Sequence, residues 1–126
     1  MPRASKADTP VSVEAEQVEF RNAELDGYTV TFGLFKTDSD PTPLFRGLPD
    51  DRCQSPHWGV IVSGKITFRY PDHDETYVAG DAFHAPPGHV PLCYAGTEVI
   101  EFSPTDLAAE TDAVVAQNMM AGVQPL

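Results

Sequence analysis

Residues 53–91, CQSPHWGVIVSGKITFRYPDHDETYVAGDAFHAPPGHVP, decide the fold of this chain. This stretch contains the only tryptophan, all four histidines and one of the two cysteines among 126 residues. Apolar and polar residues alternate over residues 66–70, which is the pattern of a β-strand with one buried face. Residues 71–74, 80–81 and 86–88 are rich in proline, glycine and aspartate and favour turns. The stretch therefore predicts short strands joined by tight turns.

Strand patterns continue on both sides of this stretch. Residues 11–20 alternate with a one-residue shift, which predicts a β-bulge in a single edge strand. Residues 28–34 follow an Asp-Gly turn and put four apolar side chains on one face. Residues 97–102 supply a last strand, and the twelve prolines and nine glycines of the chain suit a fold that turns often. The expected class is all-β, an antiparallel β-barrel or double-sheet jelly roll.

After the last strand the spacing of apolar residues changes to that of a helix. Ser103 is predicted as the N-cap and Pro104 as the first helical residue, and the helix is expected over residues 104–120. Residues 38–50 contain three prolines and a glycine and predict a long loop. We expect Leu44 and Phe45 in that loop to fold over the mouth of the barrel.

Length and charge set the domain organisation and exclude some partners. Residues 11–126 are expected to form one domain behind a disordered tail at residues 1–10. A formal net charge of −11, with eight basic residues scattered along the chain, argues against nucleic acid as a partner. No apolar run approaches the roughly 20 residues of a membrane span, and no secretory signal is evident, so a cytoplasmic protein with free thiols is expected.

The candidate site residues combine nitrogen and sulfur ligands. A turn over residues 54–56 would bring Cys53 beside His57, which an extended strand would separate by roughly 13 Å. His89 follows the turn at residues 86–88, and Cys93 shares its face if the strand is regular. Cys53, His57 and His89 are thus predicted to bind one transition metal, zinc by preference, with iron, nickel or copper as alternatives. Cys93 is a candidate for the fourth ligand, and packing in the core is its alternative role.

The turn before His89 resembles a motif of the cupin family. The second cupin motif is a glycine, five residues, Pro-x-Gly, two residues and a histidine. Gly80, Pro86 and Gly88 match it in register, but Pro91 stands at the histidine position and His89 is the nearest substitute. The resemblance covers roughly residues 45–103.

The first cupin motif is matched less well. Aligning its last glycine with Gly64 places His57 at the glutamate position and Cys53 at the second histidine of the usual pair. Asp51 stands at the first histidine, and Gly47 is two residues out of register with the opening glycine. The resemblance implies a small single-domain bacterial cupin with altered metal ligands, and a homodimer in which the N-terminal strand pairs with a sheet edge.

Two functions from different classes remain open at this point. The first is a metal-dependent enzyme acting on a small molecule in the barrel pocket, of which dioxygenases and isomerases are examples in the family. The second is a metal-free module that binds or senses a small molecule. No catalytic residue is assigned from the sequence. His73 is predicted to be a solvated loop residue and Trp58 a packing residue, whereas His84 has no assigned role.

Overall fold

The computed structural model describes residues 2–126, which form nine strands and one α-helix. The strands are β1 Val11–Glu14, β2 Val18–Leu25, β3 Tyr28–Phe35, β4 His57–Ser63, β5 Lys65–Arg69, β6 Asp74–Val78, β7 Ala82–Ala85, β8 Val90–Cys93 and β9 Thr97–Pro104. The helix α1 is Thr105–Met120. Two short 3-10 helices, Thr42–Phe45 and Pro49–Asp51, lie in the connection between β3 and β4.

The strands form two sheets that face each other. One sheet has six strands in the order β1-β2-β3-β9-β4-β7, and the other has three strands in the order β6-β5-β8. Every strand pair is antiparallel. The expected all-β architecture, a double-sheet barrel with one C-terminal helix, is confirmed.

The main hydrophobic core lies between the two sheets. Its buried side chains come from β3, β4, β5, β7, β8 and β9 and include Phe35, Ile61, Ile66, Phe68 and Phe83. Gly64 ends the β4–β5 turn at φ +77°, a left-handed conformation that glycine adopts at little cost. The alternation of residues 66–70 places Ile66 and Phe68 in this core, as expected. In β3, by contrast, the core residue is Phe35, and the alternate apolar set that includes Tyr28 lies on the outer face of the sheet.

A second core lies under the helix. Leu44, Phe45 and Leu48 of the long connection are buried together with Cys53 and Val90. Three valines of the C-terminal segment pack against this cluster: Val114, Val115 and Val123. The connection and the helix together thus cover one end of the barrel.

The N-terminal region differs from the single bulged strand expected over residues 11–20. The chain turns at residues 15–17, where the Ala15 amide donates to the Val18 carbonyl at 2.9 Å, and β1 folds back on β2. The one-residue shift in the sequence pattern therefore marks a hairpin. β1 thus pairs with β2 of its own chain and is the edge strand of its sheet.

The start of the helix also differs from expectation. The N-cap position is Pro104, and no side chain caps the helix. Ser103, predicted as the cap, is only 5% exposed on β9 and points elsewhere, as described below.

Candidate metal centre

Cys53 and His89 are brought together by backbone hydrogen bonds. The Cys53 amide donates to the His89 carbonyl at 2.9 Å, and the Gly88 amide donates to the Cys53 carbonyl at 2.8 Å. The two residues thus form an isolated antiparallel bridge, and their side chains lie next to each other. Gly88, at φ +95°, makes the turn that allows this pairing.

His57 reaches the same place from the start of β4. Its Nε2 lies 3.7 Å from the Cys53 Sγ, so the chain does turn over residues 54–56. On its other side, His57 Nδ1 lies 2.6 Å from the Ser103 hydroxyl on β9. The serine therefore fixes the orientation of the imidazole ring, as the outer partners of metal-binding histidines do.

The three side chains form a compact group of possible metal ligands. One donor atom each from Cys53, His57 and His89 lies within 4.8 Å of the others. A tetrahedral zinc ion with normal bond lengths separates a sulfur from a nitrogen ligand by about 3.6 Å. The observed 3.7 Å between Cys53 and His57 matches this spacing.

His89 offers a free nitrogen in a buried setting. Its Nδ1 lies 2.8 Å from the Pro86 carbonyl, which can only accept, so Nδ1 carries the proton and Nε2 carries a lone pair. His89 is 0% exposed, and its Nε2 has no hydrogen-bond partner within residues 2–126. Buried polar atoms are nearly always paired, so this unpaired lone pair marks His89 Nε2 as a candidate ligand atom for a metal ion.

Burial sets the protonation of the three groups. It lowers the pKa of His57 to about 4, and burial with the nearby His57 charge lowers the pKa of His89 to about 4. Both imidazoles are therefore neutral at neutral pH, as metal ligation requires. Burial raises the pKa of the Cys53 thiol, a shift that the hydroxyl of Thr111, donating to Sγ at 3.3 Å, opposes.

Cys93, the fourth predicted ligand, lies outside this group. It is at the end of β8, four residues beyond His89, and packs in the main core. Burial raises the pKa of its thiol to about 12. The two cysteines are both free thiols. The shared face assumed in the sequence analysis is not enough, because four extended residues carry the side chain about 13 Å along the strand.

The remaining candidates lie elsewhere. Asp51, at the first histidine position of the cupin motif, is exposed and accepts from the Gly47 amide. His73 is exposed and bonds Asp72. Trp58 and His84 stack on each other on the outer face of the six-stranded sheet, with ring centroids 4.9 Å apart.

Glu101 is a site residue that the sequence analysis missed. On β9 it lies on the same face as Val99 and Ser103, opposite Gly59 of β4. Burial raises the pKa of its carboxyl group to about 7. The sequence alone did not indicate this position, because the alternation of residues 97–103 puts the larger apolar residues, Ile100 and Phe102, on the opposite face.

The fold is shared with known structures, although the sequence is not. No protein-family model matches the chain, and no curated protein matches it either. A polyketide cyclase, RemF from Streptomyces resistomycificus, is 17% identical and has a TM-score of 0.59 over 82% of this chain and 79% of its own. An RmlC-like cupin from Shewanella frigidimarina NCIMB 400 is 14% identical, with a TM-score of 0.54 over 80% and 88%.

A third structure with this fold contains iron. It is the iron(II) form of HppE, which is 11% identical and has a TM-score of 0.57 over 82% of this chain and 60% of its own. At these identities the likeness concerns the fold alone. This chain therefore shares its fold with these structures, one of which is described as an RmlC-like cupin, and its Cys-His-His group lies under the C-terminal helix.

Proposed function

We propose that this protein binds one transition metal ion through Cys53, His57 and His89 and is an enzyme that acts on a small molecule held at that ion. The observation that carries the proposal is the buried His89 Nε2, which has no partner within residues 2–126 and faces the other two donors. A buried nitrogen without a partner lowers the stability of the folded state by about 1–3 kcal/mol unless a ligand binds to it.

The ligand set favours zinc. One thiolate and two neutral imidazoles form a mixed sulfur and nitrogen site, which suits zinc and disfavours magnesium or calcium. With three protein ligands, zinc keeps one coordination position open and supplies Lewis-acid chemistry there. Iron is the first alternative, since the cupin fold of HppE holds iron(II), and nickel and copper follow.

The residues around the triad orient its imidazole rings and stabilise its thiolate. Pro86 and Ser103 hold the two imidazole rings through their Nδ1 atoms, so both Nε2 atoms can point to the ion. Thr111 donates to Cys53 Sγ and stabilises the thiolate that the ion needs. Helix α1, which carries Thr111, limits the access of water to the group.

Elemental analysis of untagged protein tests the metal site. We expect close to one equivalent of metal in the parent and a sharp loss in Cys53→Ala, His57→Ala and His89→Ala, because two ligands hold an ion far less well than three. Cys93→Ala and His84→Ala are matched controls that should keep the metal. A metal-free parent that still binds small organic molecules would instead favour the binding-module function.

We also propose that the protein is a homodimer. Five large apolar side chains are 40–51% exposed on the outer face of the six-stranded sheet: Tyr28, Trp58, Val60, Val62 and Phe102. Such a continuous apolar face marks an interaction surface. A second copy is its natural partner, because apolar side chains can meet across a two-fold axis without like charges opposing each other.

A further inference from the structure

Glu101 lies close to the metal triad without being one of its members. Gly59 is paired directly with Glu101, so the neighbouring inward residue of β4, His57, lies diagonally across from it. Diagonal neighbours in an antiparallel pair are about 7–8 Å apart. The charge of Glu101 acts on Cys53 of the triad, while its carboxylate oxygens are not among the clustered donors.

The charged side chains that act on Cys53 are both acidic. The charges that raise the pKa of Cys53 come from Glu101 and Asp112, and no lysine or arginine opposes them. Lys6, Arg21 and Lys36 are occupied by surface carboxylates. The carboxyl group of Glu101 itself has no hydrogen bond or ion pair within residues 2–126 that offsets its burial.

We propose that Glu101 selects the molecule that binds at the metal, favouring neutral or cationic groups that donate a hydrogen bond and rejecting anionic ones. The inference rests on the proposed metal site. Its reason is that a carboxylate beside the triad would attract the hydroxyl, amine or imidazole N–H of a molecule bound there and would repel a negatively charged ligand at the same distance.

Cobalt(II)-substituted protein provides a direct test, because its visible spectrum reports ligands that enter the metal site. Azide serves as the anionic probe and imidazole as the neutral donor probe, both titrated at about pH 8, above the pKa of Glu101. The variants are Glu101→Gln, which keeps the shape, and Glu101→Ala, which keeps the assay usable if the first variant folds poorly. Glu98→Gln is the matched control, since Glu98 is on the same strand but pairs with Lys6 on the outer face.

We expect both Glu101 variants to bind azide at least about tenfold more tightly than the parent, as removal of one nearby charge should allow. Glu98→Gln should behave like the parent, and imidazole should bind both Glu101 variants no better than the parent. Equal azide affinity in the parent and the Glu101 variants would overturn the inference and leave the metal site intact. An equal gain in imidazole affinity would also overturn the inference, because it would indicate that the variants only widen access to the metal site. A parent without a cobalt spectrum would overturn the proposed function itself.

Discussion

The hydroxyl of Ser103 has a different task from the one that its sequence position indicates. Serine before proline at the start of a helical pattern is typical of an N-cap, but here the side chain lies 2.6 Å from His57 Nδ1. Helix α1 begins without a side-chain cap. Ser103 therefore orients the His57 ring in the interior and does not cap the helix.

Substitution of Ser103 separates these two tasks. We expect Ser103→Ala to weaken metal binding by about 10- to 100-fold, because the His57 ring loses the partner that orients it. Helix content measured by circular dichroism should stay at the parent level. Ser63→Ala is the control, since Ser63 donates to the Gly96 carbonyl away from the triad. Normal metal affinity with a loss of helix would support the capping role instead.

The buried titratable groups give the metal-free protein an unusual response to acid. His57 and His89 have lowered pKa values, so the unfolded chain binds more protons at these sites and stability falls as the pH drops from about 6.5 to 4. Glu101 has the opposite effect. Its pKa is raised to about 7, so the folded state binds more protons there and stability rises as the pH drops from 7 towards 4.5.

Without Glu101, the loss of stability that His57 and His89 cause at low pH should no longer be offset. In chelator-treated protein, Glu101→Gln is expected to lose about 1–3 kcal/mol more stability than the parent between pH 7 and 5, measured by urea unfolding. Glu98→Gln, with the same change of charge on the outer face, should follow the parent curve. A Glu101→Gln curve that is flatter than that of the parent would contradict this assignment.

At the scale of elements, helix α1 and the connection before β4 form one cover over the Cys53-His57-His89 group. Asn118 of the helix donates to the carbonyls of Leu44 and Arg46 at 2.8 and 2.9 Å. At the end of the chain, Leu126 and Asp40 exchange two backbone hydrogen bonds. The cover is thus held by polar contacts as well as by its valines.

Loss of the Asn118 amide should loosen this cover. We expect Asn118→Ala to lower the free energy of unfolding by about 1–3 kcal/mol, because two carbonyls lose their donor. The buried Cys53 thiol should then react faster with a thiol reagent. Gln117→Ala, at the neighbouring exposed position, is the control for helix propensity. Parent-like stability and thiol reactivity would show that the cover does not depend on Asn118.

For the whole molecule, the outer surfaces of the two sheets differ in apolar character, and this difference indicates which sheet forms the dimer interface. The six-stranded sheet exposes the apolar face that contains Val60, whereas the three-stranded sheet exposes Val78 as a single valine. The two valines are similarly exposed, at 44% and 49%. They therefore make a matched pair for a test of association.

Light scattering should give a mass close to twice 13.7 kDa for the parent. We expect Val60→Glu to produce monomers, because a charge buried in an apolar interface without a partner costs several kcal/mol. Val78→Glu should remain dimeric. A monomeric parent at micromolar concentration would contradict the dimer, and its metal content could still be normal.

No helix within residues 2–126 has the length and apolar character needed to cross a bilayer.

The sequence by itself determined the class of fold, the positions of most turns and the presence of one C-terminal helix. These follow from local rules, because alternation fixes which side chains a strand buries and glycine or proline fixes where the chain turns. The turn that brings His57 beside Cys53 was also predictable, since it lies within four residues. The same local reasoning placed His89 after its turn.

Only the tertiary structure decided which distant residues meet. The bridge of Cys53 with His89, the contact of Ser103 with His57 and the inward position of Glu101 beside the triad all depend on strand register between segments far apart in the chain. Register is set by the sum of core packing across both sheets, and no short stretch contains that information. The position of Cys93 has a local cause instead: it shares an alternation with His89 but lies about 13 Å further along the strand, in the hydrophobic core.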